Sequence, residues 1–128
     1  MAVPEPTLKA LHIAAQAAAE RQGENISAVD VADRLGITDA FFFASASNER
    51  QVKSIVEEIE DGLREQLELK PLRREGQTEG RWVLLDYGHF VIHVQHDEER
   101  DNYALDRLWS DAPQIELPHV DEPEAETR

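Results

Sequence analysis

Cysteine is absent from the 128 residues, which excludes disulfides and thiolate metal sites and leaves the redox compartment unread. Long apolar runs are missing too: none approaches the roughly 18 residues that a helix needs to cross a bilayer. The first residues lack the basic stretch and apolar core of a signal peptide. A soluble, cytoplasmic protein with no membrane contact is therefore expected. Basic side chains are scarce, 13 against 27 acids, for a formal net charge of −14. The last 18 residues carry a net −5 of this, so residues 1–110 still hold −9. A field of that sign repels phosphate backbones, and direct nucleic-acid binding normally needs a basic face. Little of it is expected here. A basic protein surface is the natural partner, although acidity can also serve solubility alone.

What is present suits one modest domain. Charged residues make up 31% and apolar residues 41%, a folded composition rather than a disordered one. Leu8, Leu11, Ala15 and Ala18 recur at helical spacing over Thr7 to Gln22, with Gly23 as the stop. Ile26 to Val31 reads as a short strand, and Arg34 to Thr38 as a turn around Gly36. Ala40 to Ala46 holds three consecutive phenylalanines, enough bulk to fill both faces of a sheet. Asn48 with Gln51 fits a capping box. Behind it, Val52, Ile55, Val56, Ile59 and Leu63 form one helical stripe. Pro71 opens a short strand to Arg74. Trp82 to Asp86 and Phe90 to Gln95 are strands joined around Gly88 as a hairpin, and Asp97 to Trp109 is a helix with acids at its positive end.

The order αββαβββα predicts an α/β (α+β) domain over residues 1–112, with a mixed five-stranded sheet and helices mainly on one face. Residues 113–128, acidic and proline-rich, read as a disordered tail. A chain with so few helices leaves one face of the hairpin to be covered by something else. By the period of two, Trp82, Leu84 and Asp86 share one face, and Val83, Leu85 and Tyr87 share the other. The Trp82 face also carries a charge and is taken as the outward one. An apolar patch left over on such a protein marks an interaction site.

Each candidate has a plainer reading beside it. Trp82 is the first choice for a partner anchor, since tryptophan is enriched in interface hot spots; it can equally be a core or dimer-interface residue. Leu84 shares its face and its fate. Asp86 is a candidate to pair with a partner lysine or arginine, or else it starts the Asp-Tyr-Gly reversal. Tyr103 offers a hydroxyl at a rim or packs the last helix. Trp109 is a contact or a core lid.

Catalytic and metal sites find no support. On a strand, His93 and His96 face opposite ways, and with Asp97 they lack a third ligand of suitable spacing. Ser45 and Ser47 stand where a phosphate-cradling turn would, without a glycine-rich loop or a following lysine. Capping explains them. Neither a cofactor nor a metal is expected.

Several pieces in order carry a family resemblance. They are Val29-Asp30-Val31, Thr38-Asp39-Ala40-Phe41-Phe42, Ser45 through Val52, Gly80-Arg81-Trp82-Val83-Leu84-Leu85-Asp86-Tyr87-Gly88, Val91-Ile92-His93-Val94, and Arg100 through Trp109. Together they span about Leu8 to Pro113, and the chain resembles the ribosomal silencing factor (Iojap) family. His89, Gln95 and Asn102 depart from the family's pattern. The resemblance implies a fold distantly like nucleotidyltransferases, used without catalysis. It also implies binding to large-subunit ribosomal protein fourteen on the large ribosomal subunit, where the bound factor blocks small-subunit joining and lowers translation under nutrient limitation. A homodimer of the free protein is implied as well. A working nucleotidyltransferase is the alternative from another class, but a second acid two positions from Asp86, needed to hold paired metal ions, is missing. An adaptor for some other basic protein is the third reading.

Overall fold

Alanine dominates α1 (Glu5–Glu20), whose buried side comprises Thr7, Ala10, Leu11, Ala14, Ala15, Ala17 and Ala18. In the computed structural model, which describes residues 3–117 apart from the side chains of Tyr103 and Asp106, this small-residue face lets α1 lie close against α3 (Glu49–Leu67). At Gly62 a Cβ would stand 3.2 Å from a methyl carbon of Ile13. The helix stops where expected, with the Gly23 N–H donating to the Ala18 carbonyl at 2.8 Å.

The predicted stripe Val52, Ile55, Val56, Ile59 and Leu63 is the buried face of α3. Asn48 caps the helix by accepting from the Gln51 N–H at 2.8 Å. The return half of the capping box is replaced. The Gln51 amide donates instead to the carbonyls of Arg21 and Gln22, at 3.1 and 3.0 Å, and so ties the end of α1 to the start of α3.

Five strands form one mixed sheet: β1 (Glu24–Asp30), β2 (Ala40–Ala46), β3 (Arg73–Glu75), β4 (Trp82–Asp86) and β5 (Phe90–His96). Their spatial order is β1-β2-β5-β4-β3, with β2 and β5 parallel and the other pairs antiparallel. The hairpin turn uses Gly88 at φ 88°, a value that glycine adopts without strain. Phe42, Val83, Leu85, Ile92 and Val94 point into the core beneath α1 and α3.

Two helical details differ from the sequence expectation. Ala32–Leu35 is a four-residue helix, α2, stopped at once by left-handed Gly36. The helix expected over Asp97 to Trp109 is broken into α4 (Asp97–Tyr103) and α5 (Leu105–Leu108) at Ala104, whose φ is 45°. No sequence rule marks that alanine as a break. The two long helices share one face, as expected, while α4 and α5 lie over part of the other.

The expected boundary at Ala112 is corrected by the packing that follows it. The Asp30 N–H donates to the Pro113 carbonyl at 2.8 Å, and the Ile115 N–H donates to that of Ala28 at 2.9 Å. Residues 113–117 thus cover the free edge of β1, whose backbone groups would otherwise lack partners. Leu117 is buried in the main core. The rest of the expected tail, residues 118–128, lies outside the described residues.

Candidate functional site

Strand register sets the residues of the second face in rows. Phe43, His93, Leu84 and Glu75 lie side by side across β2, β5, β4 and β3. One row along stand Phe41, Val91, Asp86 and Arg73; on the other side stand Ser45, Gln95 and Trp82. Over the β1–β2 half, Val29, Val31, Phe43 and Ala112 form a second small core under Leu105 and Trp109. On the β4 half, Trp82, Leu84 and Asp86 are all half-buried.

Trp82 faces a hollow of about 310 Å³ lined by Glu75, Gly76, Trp82 and Leu84. Gly76 makes that shape possible. A Cβ there would fall 2.0 Å from the Trp82 carbonyl oxygen, so only glycine lets the chain pass so close. A larger open groove of about 720 Å³, between the start of α1 and Leu67 and Leu69, contains none of the expected site residues.

The indole N–H of Trp82 donates to His93 Nδ1 at 3.2 Å. His93 is buried, stacked on Phe43 with centroids 5.4 Å apart and set edge-on to Phe41 at 5.2 Å. Burial, and secondarily the Arg100 guanidinium, push its pKa down to about 4. The ring is therefore neutral at pH 7, and a proton on Nε2 follows from Nδ1 acting as acceptor. His93 Nε2 and Gln95 Nε2 are buried with no hydrogen-bond partner among the described residues.

Asp86 realises its plainer reading without losing the other. Its Oδ1 accepts from the Gly88 N–H at 2.8 Å to build the turn, while Oδ2 stays half-exposed, 3.8 Å from Arg73. Trp109 is half-buried, edge-on to Phe41 at 5.7 Å and beneath the Arg34 guanidinium at 5.8 Å. Tyr103 ends α4, but its side chain lies outside the described residues. The structure thus links Trp82 and Trp109 through His93 and Phe41 in one run of rings. Sequence reading named neither connecting residue as part of the site. Alternation puts His93 and Gln95 on one side of β5, but only the pairing of β2, β5 and β4 brings that side and Phe41 to the Trp82 face.

A second place invites comparison with phosphate chemistry. α3 follows β2 and α4 follows β5, and these helices lie on opposite faces of two adjacent parallel strands. Open α/β sheets bind ligands in the crevice that such a reversal creates. Here Arg81 fills it, donating to Glu49, Glu98 and Glu99 at 2.9, 3.0 and 3.1 Å. These carboxylates raise the guanidinium's pKa further, and Arg81 in turn lowers that of Glu49. An incoming phosphate would meet a cation already paired and three acids around it. His96 caps α4 by accepting from the Glu98 N–H at 3.1 Å.

Comparison with known proteins supplies context for this geometry. The family profile described as "Ribosomal silencing factor during starvation" matches residues 4–128. A ribosomal silencing factor of Bacillus subtilis is 39% identical over 108 residues, covering 84% of this chain and 90% of its own length. One from Halalkalibacterium halodurans is 38% identical, covering 86% and 93%. A crystal structure of a Bacillus halodurans protein superposes with a TM-score of 0.73 at 33% identity, over 85% of this chain and 98% of that one.

Proposed function

This chain belongs to the ribosomal silencing factor family, and we propose on that premise that it represses translation by seating its Trp82 face on large-subunit ribosomal protein fourteen. The bound domain then excludes the small subunit by volume. The observation that carries this reading is the accessible half-face: Trp82, Leu84 and Asp86 alternate along β4 onto one side of the sheet, and all three are half-buried. Such a surface suits a desolvated aromatic anchor with a polar rim.

No chemistry is needed. A 14.5 kDa body on an intersubunit surface is an obstacle once an interface of about 1,600 Å² holds it. The charge of −14 speeds encounter with a basic ribosomal protein and disfavours misplacement on RNA. The free protein acts in the cytoplasm and self-associates as a homodimer in the same reading. No observation favours the nucleotidyltransferase alternative, because the crevice it would use holds the Arg81 cluster.

The test is light scattering of purified ribosomal subunits. Added protein, preincubated with large subunits, is expected to lower the association signal, and Trp82→Ala to restore it. An association signal that the wild-type protein leaves unchanged would overturn the reading.

A further inference from the structure

We propose that His93 is a positioning residue for Trp82: it holds the indole N–H inward and so fixes the one orientation in which the ring meets the partner. The proposal rests on the functional reading above and extends it to a residue that makes no contact itself. A half-exposed tryptophan has two side-chain torsions, and freezing them on binding weakens the complex. A ring already fixed avoids that loss.

The structure supplies the fixing group. Trp82 pairs in register with Gln95, and His93 lies two positions back on the same strand, a diagonal neighbour within reach of an aromatic side chain. The Nε1···Nδ1 distance is 3.2 Å. His93 itself cannot swing away. β5 is flanked by β2 and β4, and the imidazole is packed by Phe43, Phe41 and Trp82, with Leu84 opposite it in register. From α4, Arg100 approaches the same cluster, its guanidinium 5.6 Å over the Phe43 ring and 3.4 Å from the Ser45 hydroxyl. Leucine or phenylalanine would pack as well in this setting. What histidine adds is an acceptor at Nδ1, and the Trp82 indole is what it accepts from.

The experiment compares wild type, His93→Phe, His93→Asn and Trp82→Phe. Phenylalanine keeps the ring and removes the acceptor. Asparagine places an oxygen near the position of Nδ1. Trp82→Phe removes the donor at a half-exposed site, and it carries the test if the buried substitution prevents folding. The first readout is hydrogen exchange at the Trp82 indole N–H by NMR. The second is affinity for isolated large subunits.

In His93→Phe, indole exchange is expected to rise about tenfold and affinity to fall about tenfold, with both restored in His93→Asn. Trp82→Phe loses a similar factor, and adding His93→Phe to it loses nothing more. Unchanged exchange or unchanged affinity in His93→Phe, or losses that simply multiply in the double variant, would overturn the proposal. The exchange readout needs no ribosome, so the two readings fail separately. A protected indole in wild type that is freed in His93→Phe, without any wild-type ribosome binding, sinks the functional reading and leaves the Trp82–His93 couple standing.

Discussion

The two faces of the sheet are built from alternate residues of the same strands, yet they are different materials. Beneath α1 and α3 lie Phe42, Ala44, Val83, Leu85, Ile92 and Val94, hydrocarbon throughout and fully buried. On the opposite face stand Phe41, Ser45, Trp82, Leu84, Asp86, His93 and Gln95, aromatic and polar together and open over the β4 half. The first arrangement maximises apolar area removed from water, which is non-directional and stabilises the fold. The second gives up some of that area for hydrogen bonds with direction, which orient side chains.

The largest effect that tests this division is in the covered face. Phe42→Ala should destabilise the domain by about 3–5 kcal/mol in urea unfolding, the cost of a large buried cavity. Leu84→Ala, one face over and half-exposed, should cost well under half as much. Equal losses would mean that the second face is as much core as the first.

Next in size is pH. The folded-state pKa of His93, about 4, lies below the ordinary value of 6.5, so the unfolded chain binds the proton more readily between those values. The stability tied to its neutral form is then complete above about pH 6.5 and is lost as pH falls toward 4. The difference is on the order of 3 kcal/mol. Carboxylates with lowered pKa, such as Glu49 and Asp111, lose stability in the same direction. The His93 share is therefore read as the difference between wild type and His93→Phe, followed by urea unfolding from pH 7 to 4. Parallel curves for the two proteins would refute it.

On the open face the expected loss is in binding. Trp82→Ala should weaken attachment to large subunits by 2 kcal/mol or more, about thirtyfold, with a native circular dichroism spectrum. Sedimentation with large subunits at low and high salt reads it, and the wild-type complex should itself weaken as salt rises. Full affinity in Trp82→Ala would move the contact away from this face.

How much of this the sequence disclosed depends on the range of the interaction. The stripe of α3, the Gly88 hairpin and the two-faced phenylalanine run are local patterns, and they were legible because period and turn chemistry act over a few residues. Alternation placed Trp82, Leu84 and Asp86 on one face and Val83, Leu85 and Tyr87 on the other. The rest depended on which strands become neighbours. His93 meets Trp82 only because β4 pairs with β5, and Phe41 meets His93 only because β2 lies parallel on the other side of β5. Arg81 gathers Glu49, Glu98 and Glu99 from two helices. Residues 113–117 read as tail by composition, yet the free edge of β1 gives their backbone partners. Pairings of that kind are tertiary, and no spacing in the chain announces them.

The smallest effect tests whether the two faces are independent. Asn48 is in extended conformation, φ −153° and ψ 162°, and its side chain satisfies the Gln51 N–H at the start of α3. Alanine there leaves that N–H to solvent and should cost about 1 kcal/mol, read as a lower melting temperature, while Asn48→Asp keeps the cap and most of the stability. The helix itself should persist, because the Gln51 side chain still bonds the Arg21 and Gln22 carbonyls and five apolar residues remain buried. Since α3 lies wholly on the covered side, affinity for large subunits should not change in either variant. If Asn48→Ala weakened binding in proportion to its stability loss, the open face would depend on the helices behind it. The sheet would then transmit what its alternation is taken here to keep apart.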